Sequence, residues 1–452
     1  MSSFKEQYGF TQEEWDACLK VLNKLKDSPF ENPENMLFST LLTKVAKKAK
    51  KEQSKERKKR TVDVTLDSVL AKNASEGTTF FGNEQRDSEH YYTHVEVPKK
   101  CYSCNTPYHN VHSFYHRLCP DCASTNLEQR WRTVDLKGRN VILTGGRVKV
   151  GYATALKLLR AGANLTVTTR FPGLALENFE NEEDYETWSQ NLLVYGLDLR
   201  MIKDVEQFTS FYSERFGALD ILINNAAQTI KYTDEHYAPI VSREQKIIGN
   251  KAATGRQLIG NKSLANNKLI GASFNMEHIE LNRFGQPVDR RTKNSWNSGL
   301  EDIPPVELLE VSLINQISPF LLIQSLTPLF RKSGFDHKFI VNVSSSEGQF
   351  SYTNKTSDHP HTNMTKAALN MMTLTAAKEY SADGILMNSV DVGWISTGAN
   401  EKLRARQFEI GYIPPLDSVD GAARILYPIF ECLEKRQVLV GKLLKNYQIE
   451  DW

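Results

Sequence analysis

The stretch Asn140–Arg160 constrains the fold more than any other part of the chain. An apolar run, NVILT, meets a glycine-containing turn, GGRVKVG, and passes into a helical pattern, YATALKLLR. A strand that enters a helix through such a turn is the opening of a βαβ unit. From Val134 onward, apolar runs keep alternating with helical patterns, which predicts an α/β fold with a doubly wound parallel sheet. Glycines at the turn let the backbone approach a pyrophosphate, which the N-terminal amides of the following helix can bind. The segment therefore reads as a nucleotide site.

At 452 residues the chain exceeds one average domain, so a large domain with a smaller appendage is expected. Basic and acidic residues nearly balance, 56 against 54, and nothing global demands nucleic acid or a membrane as partner. Apolar runs such as Val141–Thr144 and Phe320–Ile323 fall short of the roughly 20 residues that span a bilayer. The first residues, MSSFKEQYGF, lack the basic-then-apolar build of a signal peptide, so a cytoplasmic or nuclear protein is expected.

Four stretches precede or make up the main domain. Residues 1–43 read as a short helical region, with Thr11 as a cap before Glu13 and Glu14, and with Trp15, Cys18, Leu19, Leu22 and Leu25 at helical spacing. Residues 44–95 read as a basic and polar linker, extended or frayed-helical. Its first part, KVAKKAKKEQSKERKKR, carries ten basic and two acidic residues, a pattern of solvated surface that nuclear import or an anionic surface could also use. Residues 96–130 form the third stretch and 134–452 the fourth. In the third, Cys101, Cys104, Cys119 and Cys122 spell C-x2-C-x14-C-x2-C, two knuckles able to present four thiolates to one Zn²⁺. Four protein ligands leave no open coordination position, so the expected role is a structural zinc. Tyr102, Tyr108, His109, His112, Phe114, Tyr115 and His116 then serve as packing around the metal, and Cys18 and Cys432 as free thiols. Nucleic-acid contact is disfavoured, since the loop between the knuckles holds one arginine, Arg117.

Further features follow the first turn in order. A second apolar run, Asn164–Thr169 (NLTVTT), ends without a carboxylate and is followed at once by Arg170. Asp198 stands in GLDL, and LDILINNAA spans Leu219–Ala227. Through these residues, the chain from about 134 to 452 resembles the short-chain dehydrogenase/reductase family, with its Rossmann-type fold. Thr144, Gly145 and Gly151 match the family's TGxxxGxG turn, with Lys149 in place of the middle glycine. That substitution predicts a reshaped turn. Asp198 matches the adenine-contacting Asp; Asn224, Asn225 and Ala226 match NNAG, with Ala227 replacing its glycine. The resemblance implies a nicotinamide cofactor. An acid after the second strand would hold the ribose hydroxyls of NAD(H), whereas Arg170, assisted by Arg147, can hold the 2′-phosphate of NADP(H). NADP(H) is the expected cofactor.

The catalytic half carries the same resemblance with one departure. FIVNVSS (Phe339–Ser345) matches the strand that bears the family's Ser, at Ser345. Asn315 in VSLINQISPFLL matches the helical Asn, and HTNMTKAALN places the family's Lys at Lys366. NSVDVGWIST (Asn388–Thr397) matches the segment after the sixth strand, which implies that Gly393, Ile395 and Thr397 lie near the nicotinamide. Where the family has its Tyr stands Thr362. A phenol of pKa about 10 can be lowered toward neutrality by a nearby ammonium, whereas an aliphatic hydroxyl cannot. His361, His359 and Tyr352 are the nearest replacements, and His361 is the first expectation for a proton donor. The alternative for both His is packing at the helix start, which Pro360 favours.

Between Asn225 and Asn315 lie 89 residues, including a polar insertion at about 230–305, readable as a substrate lid or a partner-binding flap. Its expected contact residues are Trp296, Arg283, Arg290 and Arg291. Two functions remain open. One is an NADP(H)-dependent oxidoreductase acting on a small-molecule carbonyl or alcohol, with Ser345, Asn315 and Lys366 in register and an unorthodox proton donor. The other is an NADP(H)-binding scaffold or sensor that contacts a protein partner through its zinc module and insertion. The resemblance also implies a homo-oligomer joined through helices flanking the sheet, an arrangement the insertion could obstruct.

Overall fold

The computed structural model describes residues 9–27, 36–76, 90–253, 259–260, 288–352, 355–396 and 401–452. Two compact units result, Met1–Asp63 with Val95–Val97, and Val64–His94 with Pro98–Trp452. In the first, helix α1 (Gln12–Leu25) starts at a capping box: the Thr11 hydroxyl accepts the Glu14 amide, and the Glu14 carboxylate accepts the Thr11 amide. Helix α2 (Met36–Leu66) also begins there. The basic residues read as linker are helical without a break at residue 44. Lys, Arg, Glu, Gln and Ala are strong helix formers, so the run needs no packed face to stay helical, and nearly all of it is exposed.

The second unit opens with α3 (Val69–Glu76), a hairpin of β1 (Tyr92–Lys100) and β2 (Pro107–His112), and α4 (Pro120–Trp131). The α/β region follows with β3 (Asn140–Thr144), α5 (Lys149–Arg160), β4 (Asn164–Thr169), α6 (Pro172–Glu180), β5 (Leu192–Gly196), α7 (Ile202–Arg215) and β6 (Ile221–Asn224). Within the insertion lie α8 (Asp234–Ala253) and β7 (Ile259–Gly260). The chain continues through α9 (Pro305–Ser312), α10 (Ser318–Arg331), β8 (Lys338–Ser344), α11 (Pro360–Ser381), β9 (Ile385–Asp391), α12 (Glu401–Glu409), α13 (Ser418–Leu433), β10 (Leu443–Lys445) and β11 (Gln448–Glu450).

Nine strands pair in the order β11-β10-β9-β8-β6-β3-β4-β5-β7 among the described residues, all parallel except β11. The expected doubly wound α/β sheet is therefore present. Strand residues alternate between two cores: Val141 and Leu143 pack under α5, α6 and α13, while Ile142 packs under α7 and α10. From β3 the strand order runs one way to β4 and β5, and the other way to β6. This reversal opens a crevice at the carboxyl ends of β3 and β6.

The helix Pro305–Arg331 is long and apolar enough in composition to span a bilayer. Here it is a core helix, with Leu322, Ile323, Leu326 and Phe330 buried and Thr327 hydrogen-bonded to Tyr380 of α11. The cysteine module docks on the α/β region through α13. Arg130, 1% exposed, reaches Asp417 (2.7 Å) and Asp420 (3.2 Å); Tyr115 donates to Asp420 (2.6 Å), and Arg132 reaches Glu431 (2.7 Å). Charges this buried are tolerated because each is paired and hydrogen-bonded.

Candidate functional site

The crevice between β3 and β6 holds a cavity of about 400 Å³, lined by residues that include Gly145, Arg147, Arg170, Asp198, Asn225 and Tyr237. Its floor is the first turn. Gly145 has φ +74, and a Cβ there would stand 2.9 Å from Ala226 Cα; a Cβ on Gly151 would stand 2.0 Å from the Gly145 carbonyl oxygen. Neither position has room for a side chain. Lys149 has φ +55, in the left-handed region that favours glycine. The left-handed strain, about 1–2 kcal/mol, is carried by the surrounding contacts. Thr144 Oγ1 accepts the amides of Asn225 and Ala226 (3.0 Å each), and Asn225 Nδ2 donates to the carbonyls of Thr144 (3.0 Å) and Gly145 (3.1 Å).

Arg147 and Arg170 share one end of this cavity. Arg170 Nη2 donates to Tyr237 Oη at 3.1 Å, with its guanidinium 4.9 Å from that ring; Arg147 lies over Phe171 at 5.3 Å. Burial, and then the neighbouring Arg170, push the Arg147 guanidinium down to about 10. An anion bound between the two guanidinium groups would relieve this. Asp198 also lines the cavity. Burial raises its carboxyl, but Arg200, bonded at 2.6 Å, outweighs this and holds it below the ordinary value. Asn224 does not line the cavity. It lies within the sheet, its Nδ2 donating to Asn342 Oδ1 (2.9 Å).

Sequence reasoning missed the contribution of helix α8 of the insertion. It supplies Tyr237 to the cavity and Glu244 to the start of α6, where the carboxylate accepts the amides of Gly173 (2.6 Å) and Leu174 (2.8 Å). A Cβ on Gly173 would meet Glu244 Oε1 at 3.1 Å, so a larger residue there would require the Glu244 side chain to give way slightly. The one available signal was the Phe-Pro-Gly sequence after Arg170. The end of the insertion lies elsewhere: the Trp296 ring stacks on His359 at 4.4 Å, and Arg291 bonds Asp289 and the Lys231 carbonyl. Arg290 is exposed, and Arg283 falls outside the described residues.

Ser345, Asn315 and Lys366 occupy the carboxyl edge beyond the cavity. Ser345 follows β8, half-buried, at the start of a single 3-10 turn. Asn315 sits in a π-helical turn, Leu313–Ile317; its Oδ1 accepts the Gln228 amide (2.8 Å), and its Nδ2 donates to the Gln228 carbonyl (3.1 Å) and Thr365 Oγ1 (3.0 Å). Lys366 Nζ donates to the Val343 carbonyl (2.6 Å). Burial pushes its pKa down to about 8 against the opposing pull of Glu347 and Asp391.

Thr362 is buried with no partner for its hydroxyl among the described residues. His361 is buried too, its Nε2 3.2 Å from Glu307 Oε1. No hydrogen bond joins Ser345 to either residue among the described residues. His359 has φ +41, and its Nδ1 lies 2.8 Å from the Trp296 carbonyl, which makes it a packing residue at the helix start. Tyr352 is 39% exposed, with the Lys445 ammonium 5.3 Å from its ring. Gly393 and Ile395 follow β9, and Thr397 lies outside the described residues. Beside Ser345, a charged group went unforeseen: Ser346 Oγ donates to Asp391 Oδ2 (2.8 Å), and Lys445 Nζ donates to Ser346 Oγ (3.0 Å).

The four cysteines converge. All four sulfurs lie within 4.8 Å of one another, Cys104 and Cys119 at 3.6 Å, and the Cys119 amide donates to Cys101 Sγ (3.3 Å). Among the intervening histidines, His112 Nδ1 accepts the amides of Phe114 and Tyr115, and His116 lies against Ser68 Oγ and the Ile413 carbonyl, so both are packing. Tyr102, between the first two cysteines, reaches the segment after β9. Burial, and then Asp391, push its phenol well above its ordinary value, the opposite of what a proton donor needs.

Comparison with known families agrees with the α/β fold of the region from β3 onward. The family described as short chain dehydrogenase matches residues 139–244, and that described as enoyl-(acyl carrier protein) reductase matches residues 292–411. The chain belongs to the short-chain dehydrogenase/reductase family. The gap between the two matched stretches, residues 245–291, falls inside the insertion. Among relatives of this dehydrogenase-type chain, uncharacterized protein R665 of Acanthamoeba polyphaga mimivirus is 32% identical over 345 residues, covering 74% of this chain and 71% of that protein. The (+)-neomenthol dehydrogenase of Capsicum annuum is 29% identical over 119 residues, 24% of this chain and 38% of that enzyme. An NADPH-bound carbonyl reductase from chicken fatty liver overlays 70% of this chain and 100% of its own, with 18% identity and a TM-score of 0.44.

Proposed function

We propose that the protein is an NADP(H)-dependent oxidoreductase that interconverts a carbonyl and an alcohol on a small molecule. One observation carries the cofactor assignment: β4 ends without a carboxylate, and Arg170 and Arg147 face one cavity end where their charges oppose each other. A 2′-phosphate there relieves that opposition and takes two charge-assisted hydrogen bonds. The turn fits the same ligand, since Gly145 and Gly151 keep side chains away from the backbone and Lys149, Val150 and Gly151 at the start of α5 line the cavity. The bound cofactor supplies hydride chemistry.

The remaining steps belong to this chain. Ser345 holds the substrate oxygen by a hydrogen bond, and Lys366 binds the nicotinamide ribose hydroxyls. Asn315 braces α11 by bonding Thr365. His361 is assigned as proton donor, with the Glu307 carboxylate 3.2 Å from its Nε2. The four thiolates fit one tetrahedral Zn²⁺, for which sulfur–sulfur separations of about 3.8 Å follow from metal–sulfur bonds of about 2.3 Å. Helices α10 and α11 expose Phe320, Met364, Met371 and Leu374, a face suited to self-association.

Calorimetric titration tests the cofactor. NADPH is expected to bind at least tenfold more tightly than NADH, and Arg170→Ala to erase the difference; equal affinities in the unmodified protein defeat the assignment. Turnover with NADPH and a panel of carbonyl compounds, abolished by Ser345→Ala, tests the chemistry. The scaffold reading draws on the burial of Thr362 and His361 away from Ser345. Tight NADPH binding with no turnover across the panel would favour it.

A further inference from the structure

The cysteine module and the carboxyl edge of the sheet meet at Trp394. Tyr102 lies between Cys101 and Cys104, and its amide donates to the Arg117 carbonyl (2.9 Å), which ties the two knuckles together. Its phenol oxygen accepts the amide N–H of Trp394 at 2.7 Å. Gly393, with φ +81, makes the approach feasible: a Cβ there would stand 3.2 Å from the Tyr102 oxygen and 2.8 Å from Leu416. The Arg117 guanidinium lies 5.0 Å from the Trp394 ring and 5.4 Å from that of Tyr412. On the other side, Asp391 Oδ1 accepts the Gly393 amide at 2.8 Å.

The next side chain, Ile395, packs at Gly421 of α13. A Cβ on Gly421 would stand 2.5 Å from Ile395 Cδ1 and 3.0 Å from Val150, so these two side chains crowd the same point. Val150 lines the cavity, and the segment itself leaves the carboxyl end of β9, where ligands of such sheets sit. From the knuckle, contacts thus run through Tyr102 to Trp394 and along the chain to Ile395, whose side chain shares with Val150 the space beside Gly421.

We propose that Tyr102 is a positioning residue for the nicotinamide half of the cofactor: the metal-bearing module, through Tyr102 and Arg117, holds Gly393–Ile395 in the place the ring requires. This rests on the NADP(H) reading above. The module is then a working wall of the site, and its effect is confined to one half of the ligand. Arg147 and Arg170 hold the other half without touching it.

The experiment uses the full chain with its zinc, comparing Tyr102→Phe and Arg117→Met with the unmodified protein. Zinc content is read by elemental analysis, and affinities for NADPH and for 2′,5′-ADP, which contains only the adenosine phosphate half, by calorimetry. In Tyr102→Phe, zinc is expected to stay at about one per chain. Affinity for 2′,5′-ADP should hold within about twofold and affinity for NADPH should fall roughly fivefold, the effect of one lost hydrogen bond. Unchanged NADPH affinity overturns the proposal, and so does an equal loss for both ligands. Should Tyr102→Phe fail to fold, Arg117→Met carries the same comparison. An unmodified protein that binds neither ligand overturns the NADP(H) reading itself, and this inference with it.

Discussion

The two ends of the crevice depart from the family in opposite directions. At the end lined by Arg147 and Arg170, proposed for the adenosine half, Lys149 takes a left-handed backbone where the family has a glycine, and the insertion adds Tyr237 and Glu244. At the catalytic end Ser345, Asn315 and Lys366 stand in register, yet the residue that should complete them is a buried Thr362. A backbone conformation can be kept by neighbours that over-determine it. A proton-donating group cannot be replaced that way, because its acidity belongs to the side chain.

The sharpest way to break the adenosine end is Gly151→Ala. A methyl group 2.0 Å from a carbonyl oxygen and 2.6 Å from Asn225 Nδ2 has backbone on one side and cannot be relieved by a rotamer change. Loss of measurable NADPH binding is expected, with roughly 3 kcal/mol of stability, checked by calorimetry and denaturant unfolding. The catalytic end should break differently. His361→Gln should lower turnover by roughly a hundredfold while leaving NADPH affinity within twofold, as steady-state kinetics and titration would show. An unchanged rate would move the proton donor to another group.

Between the two ends, Lys366 offers a titration. Its folded pKa is depressed to about 8, so in the free protein the ammonium is lost as pH rises through about 8, well before it would be in an unfolded chain. NADPH affinity should therefore be highest below about pH 8 and decline above it, and Lys366→Met should flatten that profile. The stability sign is opposite. Charging a buried amine is costly, so the deficit of the native protein relative to Lys366→Met should shrink as pH rises above about 8. The smallest effect is expected from Tyr237→Phe, which removes one neutral acceptor from Arg170: NADPH affinity should fall about threefold and NADH affinity should not change.

Much of the adenosine end was legible because it is written in backbone. Gly145 and Gly151 mark forced approaches, Arg170 after a strand with no terminal acid marks a cationic cavity wall, and the four cysteines mark their own convergence at fixed spacing. What was not legible depends on contacts between distant segments. Glu244 is one acidic residue in a polar insertion until the structure brings it to the start of α6, 71 residues earlier in sequence. Tyr102 meets Trp394 across 292 residues, with no periodicity to announce it. Asn224, the last residue of β6, donates its amide to Asn342 of the neighbouring strand, a pairing that only the sheet order reveals. The basic stretch after Lys44 was read through its charge, whereas its helix-forming residues decided its backbone.

The ion cluster beneath the cysteine module has a consequence for how the chain is made. Arg130 finds its carboxylates 287 and 290 residues further on, and Tyr115 finds Asp420 after 305. Contacts of such separation are costly to close and form late. During synthesis, the module emerges early but waits for nearly the whole polypeptide before its buried arginine is neutralised. Prematurely terminated chains lacking helix α13 would leave that arginine without its carboxylates, a defect that quality-control proteases are suited to find.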